Sequence, residues 1–131
     1  MRAQFFDRQD AENPLNGKML DDPAVLQEIV HSSQERAPFL AELIGINERK
    51  LLLGLGSAYG CVQFSSTDGE PPYLMAVAEK PEQEGEQAFL MGNTPTPVPQ
   101  RYCIPMRKVV EIATVFLISG ERASNVEWEE I

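Results

Sequence analysis

Hydrophobic and polar residues change their period twice along this chain, and those changes divide it into helix, strands and helix again. Residues 1–20 offer only Phe5, Phe6, Leu15 and Leu20 as apolar anchors among mixed charge and the turn formers Asn13-Pro14 and Asn16-Gly17. That segment is expected to wrap loosely around the domain or to add an edge strand. At Asp21-Asp22-Pro23 a helix begins: Asp22 suits the N-cap, Pro23 the first helical position, and Leu26, Ile29 and Val30 fall on one face. It should stop near Arg36, because Pro38 disfavours helical geometry in the residue before it.

From Phe39 to Asn93 the period is that of strands. Phe39 to Ile46, Lys50 to Gly56, Tyr59 to Ser65, Pro72 to Ala78 and Gln87 to Gly92 are short apolar runs. They are separated by Asn47-Glu48-Arg49, by Thr67-Asp68-Gly69-Glu70 and by an acidic stretch from Glu79 to Glu86. This spacing predicts an antiparallel meander, with the acidic stretch as a solvated hairpin. The run Leu51 to Leu55 is apolar on both faces and belongs in the middle of the sheet, with a helix over one side. Pro95, Pro97 and Pro99 alternate with Thr94, Thr96 and Val98. Such a stretch suits an extended recognition segment or a rigid connector to the last helix, and the connector is favoured. A second helix is predicted from Pro105 to Ser119, with Val109, Ile112, Ala113 and Phe116 as its apolar stripe and Gly120 as its stop, and Val126 to Glu130 returns as a strand. The predicted fold is α+β: one domain spanning 1–131, an antiparallel sheet of about five to six strands, and two helices packed against it.

Composition adds one unusual fact to this ordinary outline. Twenty acidic against eleven basic residues give a net charge of −9. Such a field repels nucleic acid and membrane phosphates and attracts cationic surfaces. The amino terminus has no apolar stretch of secretory length and no segment reaches the roughly 18 residues of a membrane span, so a cytoplasmic protein is expected. Cys61 and Cys103 are accordingly expected as reduced core thiols.

Few residues suit catalysis. Gly54, Gly56 and Gly60 imitate a phosphate-cradling loop, but the third glycine is one residue late and a strand follows where a helix is needed; they read as turn or bulge positions. His31, the single histidine, lies near the end of the first helix, where a cation complements the dipole, and one histidine without a Cys-x-x-Cys leaves little for zinc. No spacing links it to either cysteine as a nucleophile–base pair. Ser57 lacks the spacing and the following helix of a nucleophile elbow. Carboxylates remain, in two clusters: Glu79, Glu82, Glu84 and Glu86 around Lys80, and Glu127, Glu129 and Glu130 around Trp128. In a chain this acidic, with no catalytic constellation, such clusters suit the covering of a basic partner.

The segment from Val110 to Arg122, VEIATVFLISGER, followed by Val126-Glu127-Trp128-Glu129, resembles the carboxy-terminal signature of the type-one immunity proteins of bacterial polymorphic toxin systems. There a helix with a phenylalanine-centred face runs into a polar turn with Glu-Arg, and a strand bearing Trp and Glu follows. Upstream the resemblance extends through the first helix, the strands around Leu52 to Gly56, Tyr59 to Phe64, and an Asp68-Gly69 turn before Pro72-Tyr73-Leu74. Ala123 stands where the family often has proline, a departure that touches only the turn geometry. The resemblance implies an antitoxin that is not an enzyme and uses no cofactor. Its partner would be a toxin domain with a basic nucleic-acid-binding groove, a cytosine deaminase in preference to a nuclease. On that reading Asp68, Glu70, Tyr73, Glu79, Glu82, Glu84 and Glu86 are the expected partner-binding residues, with the carboxylates speeding association and Tyr73 as an aromatic anchor. Phe116 and Trp128 are expected to be scaffold. Two alternatives stand beside it. One is an adaptor or subunit unrelated to toxins; the other is a small carboxylate enzyme, which requires a defined cavity holding a strongly perturbed acid.

Overall fold

The computed structural model describes residues 1–131 and opens with β1 (Ala3–Asp7), paired to the two-residue β2 (Met19–Leu20). Ala3, Phe5 and Asp7 alternate inward along β1 and are buried. Asp7 makes this segment more than a loose wrapping. Its carboxylate accepts hydrogen bonds from Arg36 Nη1 at 2.7 Å, Asn13 Nδ2 at 3.0 Å and the amides of Gln9 and Asp10 at 2.9 and 2.8 Å. Of the two expectations for residues 1–20 the added edge strand is the one that forms: β1 also pairs along residues 41–45, and because a buried charge needs partners, the turn at 8–16 folds back to supply them.

α1 (Pro23–Ser33) starts as the sequence indicates, with the Asp22 carboxylate accepting the Ala24 amide at 2.9 Å, and turns Leu26, Ile29 and Val30 into the core. The chain then enters β3 (Phe39–Gly45), β4 (Arg49–Leu55), β5 (Tyr59–Gly60), β6 (Val62–Ser66) and β7 (Leu74–Ala76). Of these, β3, β4, β6 and β7 form the predicted meander, each antiparallel to the next. The expected strand at 59–65 is broken in two at Cys61: Val62–Ser66 pairs with β4, whereas Tyr59–Gly60 turns to a different partner later in the chain, with Gly60 so close to the Gly54 carbonyl that a side chain there would overlap it.

The proline-rich stretch is where expectation and structure differ most. β8 (Glu86–Met91) and β9 (Thr94–Pro99) form a tight hairpin, turning at Gly92 and Asn93, whose φ values of 55° and 67° are those of a type I′ turn. An antiparallel ladder uses the N–H of every second residue. Pro95, Pro97 and Pro99 occupy the positions whose missing N–H would point away from β8, so the pairing loses nothing and the outer edge offers no donors there. The connector reading is thus replaced by a proline-guarded edge strand. Nor is β8 the fifth strand of the meander: it meets β3 at one parallel position, Phe39 opposite Leu90. After a 3-10 turn at Gln100–Tyr102, β10 (Ile104–Pro105) pairs with β5. α2 (Met106–Ser119) follows, ending at Gly120 in the left-handed region, and β11 (Trp128–Glu130) pairs with β7.

The sheet runs β11-β7-β6-β4-β3-β1-β2, with β8 and β9 attached beyond the end of β3, so it has nine strands in place of the expected five to six. Both helices cover one face, joining Leu26, Ile29, Val109, Ile112 and Phe116 to Phe5, Leu43, Leu51 and Leu53 in one core. On the other face the β8–β9 hairpin folds over one end, burying Phe89 and Val98 against Leu40, Cys61, Met75 and Cys103. Both cysteines are free thiols, and burial pushes Cys61 up to about 12. Phe64 joins the two residues of the carboxy-terminal signature: its ring meets Phe116 edge-on at 6.2 Å and Trp128 at 6.3 Å, while Trp128 Nε1 donates to the Ala123 carbonyl at 2.9 Å. Truncating Phe116 to alanine is expected to cost about 3–5 kcal/mol in chemical denaturation. Ile118→Ala, at a position 59% exposed on the same helix, should stay within about 0.5 kcal/mol.

Candidate functional site

The seven partner-binding candidates fall into two groups, six on the loops at either end of β7 and Glu86 at the start of β8. Before the strand, the Asp68 carboxylate accepts the Glu70 amide at 2.8 Å, and both side chains border a hollow shared with Arg49 and Arg122. Hydrogen bonding by the Glu70 amide holds Asp68 below its ordinary carboxylate range. Tyr73 Oη donates to the Gly69 carbonyl, and its half-buried ring faces a separate hollow of about 150 Å³ over Glu42, Lys50, Leu52 and Gln63 on the helix-free face of the sheet. After the strand come Glu79, Glu82, Glu84 and Glu86, all exposed.

This second, richer loop is not a hairpin. β7 pairs with β6 and β11, whereas β8 pairs with β9, so residues 77–85 carry the chain from one strand to a non-neighbour. What holds the loop in place is the chain it crosses. Val77 N–H donates to the Glu127 carbonyl at 2.9 Å, Ala78 N–H to the Arg101 carbonyl at 2.8 Å, and Gln100 N–H to the Gly85 carbonyl at 2.9 Å. Arg101 reinforces the joint. Its Nε lies 3.1 and 3.0 Å from the two carboxylate oxygens of Glu129 on β11, and its Nη1 reaches the Pro81 carbonyl at 3.5 Å. Tyr102 Oη donates to the same carboxylate at 2.6 Å. The Arg101 guanidinium, with Tyr102, lowers Glu129 to about 2.

Between this loop, β10, the first turn of α2 and the chain leading into β11 lies a cleft of about 400 Å³. Val77, Ala78, Ile104, Pro105 and Val126 supply apolar lining, and Glu79, Glu127 and Lys108 supply charge. Glu127 thus joins Glu79 across the cleft, although in sequence it belongs to the other acidic cluster. The single signal for it was that cluster itself, since the two glutamates meet only through the pairing of β7 with β11. Ion pairing sharpens the acidity of the outer surface. Asp7, Glu42, Glu111 and Glu129 are the paired acids, leaving sixteen of the twenty unpaired, while Arg8, Arg36, Lys50, Arg101 and Lys108 are taken from eleven bases.

The carboxylates displaced from ordinary acidity are Asp7, Asp68 and Glu129; all shift downward, opposite to a general acid, and none lines the cleft. At Asp7 burial pushes upward, but the hydrogen bonds from Arg36, Asn13 and the Asp10 and Gln9 amides outweigh it. No three His, Cys, Asp or Glu side chains converge in a geometry that holds a metal ion, and no helix is long and apolar enough to cross a membrane.

Residues 14–130 match a family model described as "Immunity protein Imm1". No curated protein matches the chain.

Acid should unlock the joint that positions the loop. A carboxylate depressed by folding contributes stability that is fully present above its ordinary value of 4.5 and lost as pH falls through about 2. Thermal unfolding followed from neutral pH to pH 2 at constant ionic strength should show Glu129→Gln with a shallower decline than wild type between those two values. Parallel profiles would mean that the Arg101 pair contributes nothing to folding.

Proposed function

Since the chain belongs to the Imm1 immunity protein family, we propose that it neutralises a cognate toxin domain by forming a stoichiometric complex and covering the toxin's substrate groove with its acidic surface. The observation that carries this reading is the family match over residues 14–130 together with the anchored acidic loop at 77–85. An immunity protein acts on a toxin. A toxin that works on nucleic acid must present a cationic groove, and a surface with sixteen unpaired carboxylates suits such a groove by standing in for the phosphate backbone.

A cytosine deaminase is the toxin class we favour, on the resemblance of the carboxy-terminal signature to immunity proteins that accompany such enzymes. The protein would act in the cytoplasm of the toxin's producer, by binding and not by catalysis. Glu82, Glu84 and Glu86 would steer the encounter, with Asp68 and Glu70 adding charge on the other loop and Tyr73 an aromatic contact. Fixing the loop through Arg101 and Glu129 lowers the ordering cost of binding.

Two measurements test the proposal. Co-expression with the cognate toxin domain should restore growth and yield a complex on pull-down; protection without a complex would sink occlusion. With that domain in hand, the triple variant Glu82→Ala, Glu84→Ala, Glu86→Ala should associate about tenfold more slowly at low salt and lose much of its salt dependence. An unchanged rate and salt slope would place the interface elsewhere.

A further inference from the structure

We propose that the cleft between the acidic loop and β11 seats one basic side chain, arginine or lysine, projecting from the toxin domain, with Glu79 and Glu127 as its charge partners. The proposal rests on the toxin-binding reading above and assigns it a specific anchor. The cleft combines apolar lining from Val77, Ile104, Pro105 and Val126 with two exposed carboxylates, neither of them in an ion pair. An aliphatic stem ending in a cation matches that combination: the stem covers apolar surface while the head stays among carboxylates and water. A wholly apolar knob would leave the carboxylates unmatched, and an acidic one would meet them directly.

Lys108 also lines the cleft, near the start of α2, and is the one feature that favours an anion. Its Nζ lies 3.5 Å from Glu111 Oε2, so part of its charge is already met. The loop adds Glu82 and Glu84, and the start of β8 adds Glu86, which tips the local field toward a cation. The site also exists before a partner arrives. Val77 N–H is bonded to the Glu127 carbonyl and Ala78 N–H to the Arg101 carbonyl, so the two walls are held at a fixed separation by main chain. A preformed seat that takes a partly desolvated charge acts on residence time, in contrast to the carboxylates at 82–86, which lie outside the cleft and act on the encounter.

The test uses the full chain and the cognate toxin domain, with association and dissociation rates measured separately. Glu79→Gln with Glu127→Gln should shorten the lifetime of the complex at least about tenfold while changing the association rate much less than the 82–86 triple variant does. Asn125→Trp, which fills the rim from an exposed position without altering charge, should weaken binding at least as much, with its melting temperature unchanged as the check on folding. Lys108→Met should tighten the complex. Wild-type lifetimes in both the glutamine pair and Asn125→Trp would overturn the seat while leaving toxin binding intact. Tighter binding by the glutamine pair with weaker binding by Lys108→Met would overturn it in favour of an acidic group. Failure of the wild-type protein to form any complex would instead remove the reading on which the seat rests.

Discussion

One end of the β3–β4 pair is apolar on both faces, and the rest of the structure is arranged around covering it. Phe39, Ala41, Leu53 and Leu55 point toward the helices, while Leu40 and Gly54 point the other way, and all six are buried. Two helices cover only one face of a sheet. The second is covered by the β8–β9 hairpin, whose Phe89 ring packs so closely on Gly54 that a side chain at that glycine would strike it. Close packing of this kind leaves no room for adjustment, so the hairpin's position is as fixed as that of the helices.

Placing the hairpin there has consequences for the chain on either side of it. The chain must leave the meander at β7 and travel to β8, and it must return from β9 to start α2. The outward journey is the acidic loop, the return is the 3-10 turn carrying Arg101 and Tyr102, and the two cross where Ala78 and Gly85 hydrogen-bond to the returning chain. Glu129 on β11 closes that crossing through Arg101. The loop is thereby anchored at both ends beside a cleft, and a surface anchored in advance loses less freedom when something binds to it.

Electrostatics follows the same division between framework and surface. Arg36 meets Asp7, and Arg8 and Lys50 meet Glu42, at carboxylates that are themselves buried. These bases are spent on the framework, because a buried carboxylate without a partner is strongly destabilising. The surface is left with carboxylates in excess, and a field of that sign extends about a Debye length, ~8 Å at physiological ionic strength.

The elements that depend on local chemistry were legible in the chain: the Asp22 cap and Pro23 start of α1, the apolar stripe and Gly120 stop of α2, four of the five strands assigned to the meander, and the carboxy-terminal signature that points to the Imm1 family. Each is set by residues within a turn or a strand of one another, where propensity, capping and period act directly. What the sequence could not show depends on contacts between distant segments. Nothing local distinguishes Pro95, Pro97 and Pro99 as a connector from the same prolines as an edge strand, since that depends on whether a ladder forms on the side where no N–H is missing. Likewise the burial of Asp7 depends on Arg36, and the meeting of Glu79 with Glu127 depends on β11 pairing with β7. The sequence by itself determined the two helices, most strands of the meander and the excess of negative charge. Only the tertiary structure decided which carboxylates share a cleft, because side chains some fifty residues apart become neighbours through strand order, and strand order is settled by how the two faces of one apolar strand pair are covered.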